Sequence, residues 1–260
     1  MGTLARPENF MMPNEKLVKL RRAIEGCARL KALWACSNVT AITRLGINDH
    51  GPVHVRIVMR LSLKLLRLLL EAGVRPGVLD HGLSPEDAEV VVTLAAALHD
   101  IGHAIHRDEH ENLSLVLAAQ LADELLAGIY EEPAKTQIIA DVLHAVYAHR
   151  REARPLTLEA GVLKVADALD MEKGRARIPF QVGRPTIHSV SALAIEKVEV
   201  KKGKEKPVHI HVRMTNSAGI FQLDSLFREK LLTSGLKDYI ELSAEVEGEE
   251  KKIIERYALD

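Results

Sequence analysis

The stretch AEVVVTLAAAL, residues 88–98, most constrains this chain: from Val90 to Leu98 it is apolar on every side but for Thr93, and it ends at His99 and Asp100. Ser84, Pro85, Glu86 and Asp87 supply what a helix start needs, an N-capping hydroxyl, a proline at the first helical position and acids in the first turn. A helix without a polar face must be covered all round, and this one is shorter than the roughly 20 residues that cross a bilayer. The sequence therefore has to supply a jacket of other helices.

It does so between about residues 14 and 172, where apolar residues recur at helical spacing. Leu17, Leu20, Ile24, Cys27 and Leu30 form one stripe, and His54, Val58, Leu61, Leu65 and Leu68 a second, entered through His50, Gly51 and Pro52. Leu113, Val116, Leu117 and Leu121 form a third. Ile138, Val142, Ala145 and Val146 follow Pro133, and Leu158, Val162, Val165 and Leu169 close the series. After Asp170 the texture changes. RARIPFQVGRPTIHS reads as a connector, Ala194–Val200 and Val208–Met214 as a hairpin around KKGKEK, 221–232 as a helix, and 239–246 with 253–257 as a second hairpin around EGEE. The tail thus has the order strand, strand, helix, strand, strand.

Composition narrows the function classes. With 35 basic and 36 acidic side chains in 260 residues the net charge is -1, so no global field grips nucleic acid or an acidic membrane, though local basic patches remain open. Two cysteines, Cys27 and Cys36, without a CxxC, argue against a secreted disulfide scaffold and a thiolate zinc site, and point to a reducing cytoplasm. MGTLARPENFMMPNEK has no basic segment followed by an apolar one and is read as carrying no targeting signal. Neither GxGxxG nor a P-loop occurs, and no serine or cysteine triad is apparent.

Nine of the twelve histidines fall between residues 50 and 149, inside the helical half. His54 shares a face with Val58 and Leu61, His149 with Ile138, Val142 and Ala145, and His110 precedes Leu113 and Leu117; one such histidine is ordinarily a core residue, but several on separate buried faces suggest convergence on metal. A carboxylate such as Asp100, at the end of so apolar a helix, is costly unless it meets a cation or donors.

His54 in HVRIV, the doublet His99 and Asp100 in LHDIGH, and Asp167 in LKVADALD stand in the order of a known signature. Over roughly residues 50–180 the chain resembles the HD-domain superfamily of metal-dependent phosphohydrolases. The implied fold is mainly α, an HD-type helical bundle over residues 1–185; outside the resemblance, the alternation of residues 186–260 reads as a small C-terminal α+β module for regulation or oligomerisation. The resemblance also implies a metal set of His54, His99, Asp100, His110, His149 and Asp167, with Asp100 between two divalent ions; mixed His and Asp donors favour Mn, Fe, Co, Ni or Zn. It is similar to HD hydrolases of dinucleoside polyphosphates and to the metal core of HD-GYP phosphodiesterases, but lacks the GYP segment.

Asp100 and His103 are the expected catalytic residues. His103 stands where many relatives carry a lysine that touches substrate phosphate, a role a neutral histidine fills more weakly. Arg150, Lys173, Arg175 and Arg177, with Arg151, flank two ligand helices and read either as a phosphate-binding cluster or as a solvated face. His50 is a cap or a ligand; Asp170 orients a ligand histidine or caps a helix; His144 is peripheral; Glu111 and Ser114 are structural; His209 and His211 form a cross-strand or solvent-facing pair. The implied function is hydrolysis of a phosphate ester or anhydride, by resemblance of a nucleotide, by metal-activated water. Alternatives are a di-iron redox enzyme on the same fold and a nucleotide-sensing binding module. The expected partner is a small phosphate substrate, with neither membrane nor nucleic acid, and a second copy in a homodimer is the further candidate; the tail is expected to supply no ligand residue.

Overall fold

The computed structural model describes residues 14–174 and 187–249. Its first part is a helical bundle: α1 (Glu15–Gly26), α2 (Ala28–Asn38), α3 (Pro52–Glu71), α4 (Pro85–Leu98), α5 (His110–Leu126), α6 (Ala134–Ala148) and α7 (Leu158–Ala168). Helix α4 is the axis: every residue from Asp87 to Leu98 is buried, and α1, α3, α5, α6 and α7 pack against it. Its start is locked by a capping box, in which the Asp87 carboxylate accepts from the backbone and hydroxyl of Ser84. No helix among the described residues is long and apolar enough to cross a membrane.

The structure refines the stripes. The first runs over two helices, because Cys27 is extended (φ -78°, ψ 100°) and caps α2 through an Sγ that accepts from the Leu30 N–H at 3.4 Å. On α5 the expected register is off: Val116 is 74% exposed, and the buried face is Ser114, Ala118, Leu121, Ala122 and Leu125. The small residues on that face let α5 lie close to the 3-10 turn Ile101–Ala104 that follows α4. A Cβ on Gly102 would sit 2.0 Å from the His110 carbonyl oxygen, so only glycine admits this approach.

The tail begins with α8 (Ile187–Ala194), where the sequence suggested connector, and continues into β1 (Ile195–Lys202) and β2 (Val208–Met214), antiparallel in register Val200↔Ile210. A wide helical turn, Gln222–Phe227, runs into α9 (Arg228–Thr233), and β3 (Ile240–Val246) then lies parallel to β2, pairing Ile210↔Leu242. The sheet order is β1-β2-β3, so β2 and β3 are joined by a helical crossover and β2 is central, buried at alternate residues. The expected last strand, 253–257, and the expected domain boundary at 185/186 lie outside the described residues. The tail packs on the bundle through β1 against α3 and α9 against α7; a Cβ on Gly161 of α7 would come 2.5 Å from the Ser234 carbonyl oxygen.

Candidate metal centre

Five helix ends converge on one point. His54 lies in the first turn of α3, His99 at the C-terminus of α4 with Asp100 next to it, His110 at the start of α5, His149 at the C-terminus of α6, and Asp167 in the last turn of α7. Glu109 takes the left-handed conformation (φ 58°), uncommon without glycine, and so turns the chain sharply into His110.

Around Asp100 these side chains form two clusters. Asp100 Oδ2 lies 3.3 Å from His54 Nε2 and 3.4 Å from His99 Nε2, while Asp167 Oδ1 lies 3.3 Å from His54 Nε2 and 3.7 Å from His99 Nε2. On the other side Asp100 Oδ1 lies 3.5 Å from His110 Nε2 and 3.8 Å from the Nε2 atoms of His149 and His103. His54, His99 and Asp100, and equally Asp100, His110 and His149, bring their donor atoms close enough to share an ion; His50, Asp100 and His103 form a third such group.

Every histidine of the first two clusters is oriented from behind. Nδ1 of His99, His149 and His110 donates to the carbonyls of Ala96 (2.9 Å), Val146 (2.5 Å) and Arg107 (3.0 Å), and Nδ1 of His54 donates to Asp170 Oδ2 at 2.6 Å. A ring whose Nδ1 carries the proton and which is otherwise neutral presents a lone pair on Nε2, the arrangement metal-binding histidines use. His54 Nε2 and His99 Nε2 stand 3.1 Å apart, and when each ring carries its one proton on Nδ1 both Nε2 lone pairs face the same point. Two facing lone pairs repel, and a shared cation relieves that, so this donor set fits a divalent metal.

The protonation states agree. Burial alone would raise the Asp100 carboxyl, but His99, His54 and His103 around it hold it well below the usual range. Burial likewise opposes ionisation of Asp167, and Lys230, His54 and His99 outweigh it. Burial keeps His149 neutral well below its ordinary range, and pushes His103 down to about 3. Ionised carboxylates and neutral imidazoles are the forms that ligate metal.

The opening beside the clusters is a pocket of about 360 Å³. Arg150 lines it; Lys173 does not, pairing instead with Glu196 at 2.5 Å, and Arg175 and Arg177 lie outside the described residues. His103 is fully buried, and its Nε2 accepts from Arg107 at 3.0 Å, so the positive charge at this corner belongs to Arg107, which lines the pocket. Arg151 also lines it and pairs with Glu229. His144 accepts from the Leu156 N–H at 3.0 Å, and the Ser114 hydroxyl, donating to the His99 carbonyl at 2.6 Å, ties α5 to the doublet. His209 and His211 are on β2, both hydrogen-bonded to Ser243 of β3.

Sequence reasoning missed Lys230. It comes from α9 in the tail, and its Nζ donates to Asp167 Oδ2 at 2.5 Å while Oδ1 faces the histidines. Gln222 and Leu226 line the same pocket, so the tail builds part of the site although, among the described residues, it offers the clusters no donor atom. No motif marks Lys230; it is one of two cations, with Arg228, on the amphipathic segment 221–232. Arg107 carried a faint signal, one helical turn after His103.

The family model described as HD domain matches residues 54–172, which hold all six candidate ligands, from His54 to Asp167. The uncharacterized protein MJ1020 of Methanocaldococcus jannaschii is 45% identical over 224 residues, 86% of each chain. Ribonuclease Y of Acidothermus cellulolyticus is 31% identical over 158 residues and that of Nitratiruptor sp. 26% over 185, covering 58% and 66% of this chain but only 29% and 33% of theirs. Motif order, helical bundle and these matches agree: the chain belongs to the HD-domain superfamily of metal-dependent phosphohydrolases.

Proposed function

We propose that this chain hydrolyses a phosphate ester or anhydride, with a nucleotide as its substrate, and that His54, His99, Asp100, His110, His149 and Asp167 hold two divalent transition-metal ions. The observation that carries the reading is the split of Asp100, whose Oδ2 faces His54 and His99 and whose Oδ1 faces His110 and His149. Ions bound there supply Lewis acidity and lower the pKa of a water toward neutrality. The protein's own part is positioning. Backbone carbonyls and Asp170 fix the imidazoles, and Arg107, Arg150 and Lys230 line the pocket where phosphoryl oxygens would need cations. His103 works through Arg107, which it holds by accepting its hydrogen bond. The name ribonuclease Y, borne by several partial matches, adds a phosphodiester to the candidate bonds.

The test is a screen of nucleoside mono- and triphosphates, dinucleoside polyphosphates, cyclic dinucleotides and short RNA with protein loaded with Mn, Fe, Co, Ni or Zn in turn. Metal-dependent phosphate or nucleotide release is expected, abolished by a chelator and restored by metal. Oxygen uptake by the iron form without hydrolysis of any of these would favour a redox enzyme instead.

A further inference from the structure

A second recess lies on another part of the bundle, a groove of about 930 Å³ between α3 and the helices α1 and α2. Arg56, Arg60, Lys64 and Arg67 follow one another along α3 at i, i+4, i+8 and i+11, which places them on one face over about 16 Å. Arg21 of α1 and Lys31 of α2 stand on the opposite wall, and the only acids lining the groove are Glu25 and Glu71. Glu71 pairs with Lys202 of β1, and Arg67 with Glu89 at 2.6 Å. The other five cations make no ion pair among the described residues, and Arg56 only donates to the Pro52 carbonyl at 2.8 Å. In a chain of net charge -1 this is a concentrated positive field.

Charge decides between occupants. Ile24, Trp34 and Leu63 are 4%, 6% and 5% exposed, so the deepest apolar side chains are already covered, and Pro52, Met59 and Leu68, all partly buried, line the groove between the cations. The cations follow one another along α3 at steps of about 4.5 to 6 Å, so a polyanion with a charge every few ångström, as a nucleic-acid strand has, can meet several of them at once. The Trp34 indole N–H donates to the Ala97 carbonyl at 2.8 Å and the residue is 6% exposed, so it offers no platform for a base, and phosphate contacts would have to carry the binding. The groove reaches Pro52, at the same end of α3 as His54.

We infer that this groove binds the phosphodiester backbone of single-stranded nucleic acid, independently of whether the metal centre hydrolyses anything. The experiment is fluorescence anisotropy of a fluorescein-labelled oligouridylate, its integrity checked on a gel, with the full-length protein over a range of salt. Binding is expected with a log–log salt slope of about -3, from roughly 0.7 per phosphate neutralised on a single strand. Arg60→Glu with Lys64→Glu should weaken it at least tenfold, and Arg60→Gln with Lys64→Gln should weaken it less, with metal content unchanged in both. The neutral pair keeps the test valid should charge reversal impair folding. No binding at low salt, or binding unaffected by either pair, would overturn the inference. So would displacement by polyglutamate as effective as by unlabelled oligonucleotide, which would make the groove a seat for an acidic protein.

Discussion

Asp100 is where the residue-scale account is most exposed. A buried carboxylate costs several kcal/mol unless it meets cations or donors, and here, among the described residues, its oxygens meet imidazole edges from four helices, which hold it low against burial. Burial keeps His103 and His149 neutral, so these two rings do not bring a full positive charge to it. Two ions between the clusters would. Replacing Asp100 by Asn keeps the shape and removes the charge, and Asp100→Asn should lower metal affinity at least tenfold and hydrolysis with it, while the circular-dichroism spectrum stays that of the wild type. Wild-type metal content and turnover in that variant would make the doublet a structural feature only.

At the scale of elements, legibility followed how much of an element's sequence is set by its own burial. Helix α4 was readable because every residue from Asp87 inward is buried, and α6 because Ile138, Val142, Ala145 and Val146 all face the core. Helix α5 was misread because its contact face is made of Ser114, Ala118 and Ala122, chosen for closeness to the turn after α4 rather than for hydrophobicity, while Val116 and Leu117 point outward or half outward. Gly102 belongs to the same contact: its missing side chain lets the start of α5 bring His110 to Asp100. In the tail, β2 alternates between buried and half-buried residues from Val208 to Met214 and was read to the residue; that β3 runs parallel to it was not legible, because alternation reports burial and not strand direction. Among site residues, those on motif positions were named, and those that reach the site from a distant element were not.

At the scale of the whole molecule the consequence is that bundle and tail share one site. Asp167 has one oxygen toward the histidines and the other on Lys230, and Gly161 keeps α7 close enough to the tail for that pairing. A tail concerned only with regulation or assembly would not need a cation there. Lys230→Gln is expected to raise KM for a phosphate substrate several-fold and to lower kcat, with metal content near that of the wild type, because it removes a charge from the phosphate pocket without removing a ligand. Unchanged kinetics would confine Lys230 to holding the tail in place. The central claim, two ions bridged by Asp100, is tested most directly by anomalous diffraction at the metal edge from crystals grown with manganese. The account predicts two peaks about 3.5 to 4 Å apart, one beside His54, His99 and Asp167, the other beside His110 and His149, with Asp100 between them. A single peak in fully active protein, or peaks away from these residues, would contradict it.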